Sequence, residues 1–457
     1  MLDLRILNGT VVSDGQVAPL DVGIEDGRIA VVDESGALGT ARAEIDASGL
    51  HVMPGAVDVH FHCRAPGHSE RGDFASETAA AAAGGVTTVF EMPISDPACS
   101  TPETFRKRKD LVSAQAFVNV GLYSGAALGG AAQAAEMAEL GAVGFKLFTI
   151  SPAVGREREF AGLWATDEGE ILKALQAVTP TGLACVVHAE SERLITYFGS
   201  QESSDGLSLR PPIVEATAIA STAALAKEAG ARIHIAHVSS RAALNAFRGA
   251  RALGAEVTAE TCPQYLVLNG DAIRKNGGVA KVAPPLRERD DNEALWEALV
   301  DSTLTLVSSD HAPFLVHEKA VPYAEAPQGL PTVELLVPVM LDAAARGRIS
   351  LERALSYVTS APAQLFGLYP RKGVIAAGSD ADIAIVSLED SFNPSPENLV
   401  SRAGGCAIVF SEMRLKGRVR KTIVNGTLVY DEGHIVAQGG SFLAGSAAMP
   451  VTAVHHE

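Results

Sequence analysis

Residues 1–50 alternate apolar and polar positions around turn signals, as in LRILNGTVVSDG and DVGIEDGRIAVVDES. That pattern predicts short antiparallel strands. The far end of the chain repeats it with GSDADIAIVSL and RVRKTIVNGTLVYDEGHIV. The segments ILNGTVV (6–12) and IVNGTLV (423–429) echo each other, and Asn-Gly between two apolar runs predicts a similar hairpin at each. The simplest arrangement folds both termini into one small β-sandwich, from residues 1–52 and 371–440, and leaves 441–457 as a tail or packing arm.

The centre, residues 53–370, has another texture. Short Val- and Ile-rich runs alternate with Ala-rich stretches such as SETAAAAAGG, EATAIASTAALAKEAG and RAALNAFRGARALG. Strands alternating with helices predict βα units and a parallel sheet. The length suits an α/β fold of the (β/α)8 TIM-barrel type with insertions; a doubly wound sheet is its rival. Irregular segments near 151–166, 199–212 and 312–331 are expected as loops able to cover a site.

Composition narrows the class. The 457 residues are 47% hydrophobic and 20% charged, with a net charge of −17. A substantial core is expected, and nucleic acid or an anionic membrane is not expected as partner. No 18-residue apolar run and no basic-then-apolar leader occur, so neither a membrane span nor a secretory signal is expected. The cysteines Cys63, Cys99, Cys185, Cys262 and Cys406 are scattered without a CxxC pair, which fits reduced thiols and a cytoplasmic protein. Asn8-Gly-Thr10 and Asn425-Gly-Thr427 then read as turns rather than glycosylation sites.

The chemistry begins at Asp58-Val-His-Phe-His62, which ends an apolar run. On a strand, residues i and i+2 share a face, so His60 and His62 project together, either as a metal-chelating pair or as structural histidines. Lys146, His188, His237 and Asp310 also end strand-like runs, where barrels keep their active sites. An ideal βα unit is about 31 residues. The gaps of 84, 42, 49 and 73 residues from His62 onward place the set on strands 1, 4, 5, 6 and 8. A charged Lys146 would repel metal ions; it becomes a ligand only if neutral or carbamylated by CO2. Taken alone it reads as a snorkelling or ion-paired lysine.

In this order, AspXHisXHis, GAVGFK, VVHAES, AHVSS, ETCPQYL, KVAPPLR and SSDHAP resemble the cyclic amidohydrolases: hydantoinases, dihydropyrimidinases, allantoinases and dihydroorotases. The resemblance runs from about Val52 to Asp382 and extends to the flanking β segments. It implies two divalent metal ions, with zinc expected. His60 and His62 would hold the more buried ion, and His188 and His237 the more exposed one. A CO2-derived carbamate on Lys146 would bridge them. Asp310 would bind the first ion and serve as catalytic proton shuttle. A metal-bridging hydroxide would then open a small cyclic amide or ureide ring.

The ring itself is less marked. Dihydroorotase-like enzymes hold a substrate carboxylate with an arginine after HxH, an Asn in MPN and a second His in DHAPH. This chain keeps Arg64 but has Ile94, Phe314 and Ala283 where those enzymes place polar groups, so a buried carboxylate would be poorly paired. The tyrosine of D-hydantoinases, five residues after the lysine, is Ser151 here, and the histidine of the allantoinase CPHY is Gln264. EMPI, GAVGFK and KVAPPLR are most similar to L-selective hydantoinases. A hydantoinase is therefore the first reading and allantoinase the next, with dihydroorotase below both. Arg64, Ser151, Ala283 and Gly329 are the expected substrate contacts, with Gln328 and Leu330 lining through backbone groups.

Other residues carry quieter expectations. His234 and His311 read as structural or supporting. His68 and His317 lie in loops near the expected mouth, His455 and His456 lie in the tail, and Cys63 should be a packed thiol pointing away from the metals. An inactive scaffold of the same fold would have lost ligands, and a mononuclear deaminase would not need Lys146. The resemblance also implies a homo-oligomer, tetramer or dimer.

Overall fold

The computed structural model describes residues 1–127, 129–200 and 210–445. Part of the loop expected over 199–212, most of the tail, and His455 and His456 lie outside these residues.

The first six strands are β1 (Leu2–Leu7), β2 (Thr10–Ser13), β3 (Gln16–Glu25), β4 (Arg28–Glu34), β5 (Ala41–Asp46) and β6 (His51–Pro54). The last four are β15 (Ile383–Phe392), β16 (Leu415–Val424), β17 (Thr427–Asp431) and β18 (His434–Ile435). All ten join one sheet, in which β6 pairs with β15 and unites the two ends of the chain. Ile6, Val22, Ile24 and Val52 from one end pack with Ile383, Ile385 and Ile423 from the other. Apolar burial of this kind, at about 25 cal/mol per Å², holds the termini together.

Two expectations about this sheet are corrected. It is mixed rather than antiparallel, because β1 pairs parallel with β5 and β2 parallel with β6. The echoed Asn-Gly segments also differ. Asn425 and Gly426 have φ of 48° and 78° and join β16 to β17 as a hairpin, since tight hairpin turns need positive φ at both positions. At Asn8-Gly9 only Asn8 has positive φ, and β1 and β2 both pair with β3 rather than with each other. Gly9 marks a close approach instead: a Cβ there would sit 2.6 Å from Val52 Cγ2. The hairpin turn of that region is Asp14-Gly15.

The centre is an eight-stranded parallel barrel: β7 (Ala56–Phe61), β8 (Val86–Glu91), β9 (Asn119–Gly125), β10 (Gly144–Phe148), β11 (Cys185–His188), β12 (Ile233–Ile235), β13 (Val257–Thr261) and β14 (Leu306–Val307). Its strands are buried on both faces and so read as apolar runs rather than as alternation. The ring closes through a parallel bridge between Phe61 and His311 and through the His62 amide, which donates to the His311 carbonyl at 2.8 Å. Helices such as Phe74–Ala83, Pro102–Gln115 and Arg241–Ala252 follow the strands. Asp73, Thr101 and Ser240 cap their first turns, which satisfies otherwise orphaned amides.

The chain after β18 returns as a strap. The Val120 amide donates to the Ser441 carbonyl, the Leu443 amide donates to the Val120 carbonyl, and Leu443 packs with Val57, Phe90, Tyr123 and Phe366. Residues 441–445 are thus packed rather than a free tail. Among the described residues no helix is long and apolar enough to cross a membrane.

Candidate active site

Five of the six expected metal residues stand at or just beyond the C-terminal end of a barrel strand, and Lys146 stands in the middle of β10. His60 lies in β7 and His62 just beyond it, Lys146 lies in β10, and His188 ends β11. His237 follows β12 by two residues and Asp310 follows β14 by three. These are barrel strands 1, 4, 5, 6 and 8 in order, and all six side chains line one cavity. Arg64, His237 and Asp310 have φ of 66°, 40° and 47°. Non-glycine residues in that region cost on the order of 1–3 kcal/mol each and gather at functional sites.

His60 Nε2 is 3.3 Å and His62 Nε2 3.6 Å from Asp310 Oδ1. The ligand atoms of these three residues all lie within 4.8 Å of one another, close enough for one ion. His188 Nδ1 and His237 Nε2 are 2.8 Å apart. Four buried nitrogens of the lining residues, Lys146 Nζ, Arg64 Nε, His62 Nδ1 and His237 Nδ1, have no hydrogen-bond partner among the described residues. An unsatisfied polar atom is costly in a core, and a buried, unpartnered Lys146 Nζ at the rim suits a modified amine.

Charge follows burial. Burial lowers the pKa of His60 to about 4 and holds His62 and His237 well below the usual imidazole range; Lys146 reinforces this in all three. These rings are neutral near pH 7, the form that ligates metal. Burial also lowers Lys146 to about 8, against the opposing pull of Glu260 and Asp310. Burial raises Asp310 to about 8, against the attraction of Lys146.

Three buried carboxylates hold this constellation, and two of them, Glu260 and Glu190, are not among the expected site residues. Glu260 in β13 meets His60 Nδ1 at 2.5 Å and His234 Nε2 at 3.1 Å. Glu190 Oε2 meets His188 Nε2 at 2.8 Å and accepts from Arg210 at 2.7 Å. Burial pushes Glu190 up, but Arg210 and His188 outweigh it and hold the group near about 2. Asp58 accepts from the Ser309 amide at 2.9 Å and from its hydroxyl at 2.5 Å, which ties the His60 strand to the Asp310 segment. Ring nitrogens fixed in this way set the tautomer of a ligating histidine. The signal for Glu260 and Glu190 was a carboxylate inside, or just after, an apolar strand.

The remaining expectations divide. Arg64, Ala283, Gln328 and Gly329 line the cavity. Arg64 is buried, its Nε lacks a partner, and its guanidinium lies 4.5 Å over the Phe314 ring. Ser151 is exposed and does not line the cavity, because Thr149 and the Ser151 amide anchor that turn to the His188 and Glu190 carbonyls and to Glu192. His317 is exposed on a single-turn helix, Val316–Lys319. His68 lies 3.5 Å from Glu159, outside the lining. His234 bonds Thr258 and Glu260 within the barrel. His311 faces Glu77 at 2.8 Å and stacks on Phe61. Cys63 is buried with its thiol pushed well above the ordinary range by burial. Phe148, Arg156 and Phe160 also line the cavity, with no local sequence signal to single them out; Arg156 and Phe160 come from the irregular 151–166 segment.

Residues 51–429 match the description "Amidohydrolase family". The chain is 32% identical to an allantoinase of Solibacter usitatus over 453 residues, 97% of each chain. It is 32% identical to an L-hydantoinase of Paenarthrobacter aurescens over 452 residues, 96% of this chain and 97% of that one. The solved L-hydantoinase (dihydropyrimidinase) from Arthrobacter aurescens superposes with a TM-score of 0.90 at 31% identity, over 97% of this chain and all of the other.

Proposed function

The chain belongs to the amidohydrolase family and is a hydantoinase- and allantoinase-type hydrolase of cyclic amides, and on that premise we propose which residues carry the reaction and which ring it opens. The family is metal-dependent, and the His60–His62–Asp310 cluster is a candidate metal site. We assign His60, His62 and Asp310 to one ion, His188 and His237 to a second, and a carbamate on Lys146 between them, with zinc as the ion. The observation that carries this assignment is the unpartnered Lys146 amine lining one cavity with four neutral imidazoles and Asp310.

The ions, when bound, supply an acidified water and polarise the ring carbonyl. Lys146 contributes by being buried: a depressed pKa supplies the neutral amine that adds to CO2, giving a carbamate with loss of one proton. Asp310 accepts the proton of the attacking water and returns it to the departing ring nitrogen, a poor leaving group without it. Glu260 and Glu190 keep His60 and His188 turned inward.

The ring is a hydantoin with an apolar substituent. Ile94, Phe148 and Phe160 form one apolar cluster on the cavity wall. Phe314 lies beneath Arg64 instead of offering a second polar contact, which disfavours dihydroorotate. Allantoin is the second reading, favoured by Arg64 and Arg156, whose N–H groups suit a ureido carbonyl. The free, buried cysteines support a reducing, cytoplasmic setting, and a homo-oligomer is the expected assembly, checked by light scattering.

The test is a turnover panel of both enantiomers of 5-substituted hydantoins, dihydrouracil, allantoin and dihydroorotate, with Zn2+ and bicarbonate added. Turnover led by an aryl- or alkyl-hydantoin supports the first reading, and turnover led by allantoin supports the second. Activity confined to dihydroorotate overturns both.

A further inference from the structure

Lys319 is fully buried, yet it has no carboxylate within ion-pair distance among the described residues. Its Nζ donates to the carbonyls of Lys281 at 2.8 Å and Pro327 at 2.9 Å. The Lys281 carbonyl also accepts from the Gly329 amide at 3.0 Å. The Lys281 side chain in turn donates to the Ala324 carbonyl at 2.8 Å. Four hydrogen bonds, two of them from the buried Lys319, therefore sew the 281–283 segment to the 324–329 segment. Ala283 on one segment, and Gln328 and Gly329 on the other, line the cavity. Ala283 and Gly329 have no polar side chain, so what they present to a polar ring is main chain, and its placement depends on how the two segments are held.

A buried ammonium without a counter-ion is expensive. An apolar side chain of similar size would fill the space without that cost, so packing alone does not account for a lysine here. Lys319 also backs the polar side of the cavity: its Nζ is 5.9 Å from the centre of the Phe314 ring, over which Arg64 lies.

We propose that Lys319 is a positioning residue for substrate, a buried clamp that sets the distance between the two backbone segments forming one wall of the ring pocket. The inference rests on the cyclic-ureide reading above. Lys319 is not among the residues lining the cavity and is assigned no part in the proton transfers. Burial lowers its pKa to about 7, with Lys281 and Arg64 adding to the fall. Charged or neutral, the nitrogen keeps at least two N–H donors, so the clamp holds across neutral pH.

The experiment compares wild type with Lys319→Met, and with Lys319→Gln, whose amide can still donate to one of the two carbonyls. Steady-state kinetics are measured on the best substrate of the panel, and bound metal is measured in each protein. The expected result is a KM raised roughly tenfold or more in Lys319→Met and by less in Lys319→Gln, with kcat within about twofold and metal content unchanged. Were the Met variant too unstable to purify, the Gln variant carries the test on the same split. A folded, metal-loaded variant with wild-type KM overturns the proposal, and so does a loss confined to kcat. A wild type inert toward every ring in the panel would instead sink the reading on which the proposal rests.

Discussion

Glu260 and His60 lie 200 residues apart in the chain, and their side chains meet at 2.5 Å, Oε1 to Nδ1. The same carboxylate holds His234 on the neighbouring strand. Burial alone would push Glu260 up; His60 and His234 outweigh it and hold the group well below the usual carboxylate range. It is a fixed anion behind the imidazole we assign to a metal ion, and on that assignment it makes the ring a better donor.

Glu260→Gln removes the charge and keeps the shape. Its effect should fall on metal retention before chemistry. Loss of such an outer partner typically weakens metal affinity about 10–100-fold. Chelator competition on the purified variant should read that loss, and an unchanged affinity would return Glu260 to a purely structural role.

Metal uptake should depend on pH with a definite sign. In the metal-free protein Asp310 is raised to about 8 and must lose a proton to ligate, and Lys146 is lowered to about 8 and must lose one to take up CO2. The buried histidines, lowered, are already neutral. Binding therefore releases protons, so apparent affinity should climb from pH 6 to pH 8 and flatten above it. Calorimetry in buffers of different ionisation enthalpy counts the protons released; affinity flat between pH 6 and 8 would contradict the assignment.

Asp310→Asn keeps an oxygen ligand but cannot accept the proton of the attacking water. General acid–base groups contribute typically 10²–10⁴-fold, so kcat should fall within that range while most of the metal is retained. Near-wild-type turnover in the metal-loaded variant would move the proton transfer to another group.

The barrel and the placement of six side chains were legible because both rest on local signals. An apolar run ending in an ionisable residue marks a strand end, and the spacing of such ends counts βα units. The misses are non-local. Asn8-Gly9 carries a hairpin signal, but the chain bends there because Gly9 closes on Val52. Ser151 sits at the offset the resemblance assigns to a contact, but the turn is anchored away from the cavity by Thr149 and Glu192. Glu260 in a VTAET strand gives no sign that its partners come from strands 1 and 6 of the barrel. Phe148, facing His188 at 5.1 Å between ring centres, reads in sequence as one more core aromatic.

The apolar wall makes the last prediction. Ile94 and Phe160 pack with Phe148, Ala98 and Leu163 in one cluster reaching the cavity. A ring substituent lying there would leave water for apolar surface, worth about 0.8 kcal/mol per buried CH2. Phe160→Ala should therefore lower kcat/KM for a benzyl- or isobutyl-hydantoin by roughly 10–200-fold, the range seen for small changes in apolar pockets. The unsubstituted ring, which has nothing to place against the wall, should change little. A variant that loses both substrates equally would show that Phe160 shapes the site as a whole, and a variant that loses neither would place the substituent on the Arg64 and Arg156 side, where a ureido group fits better than a hydrocarbon.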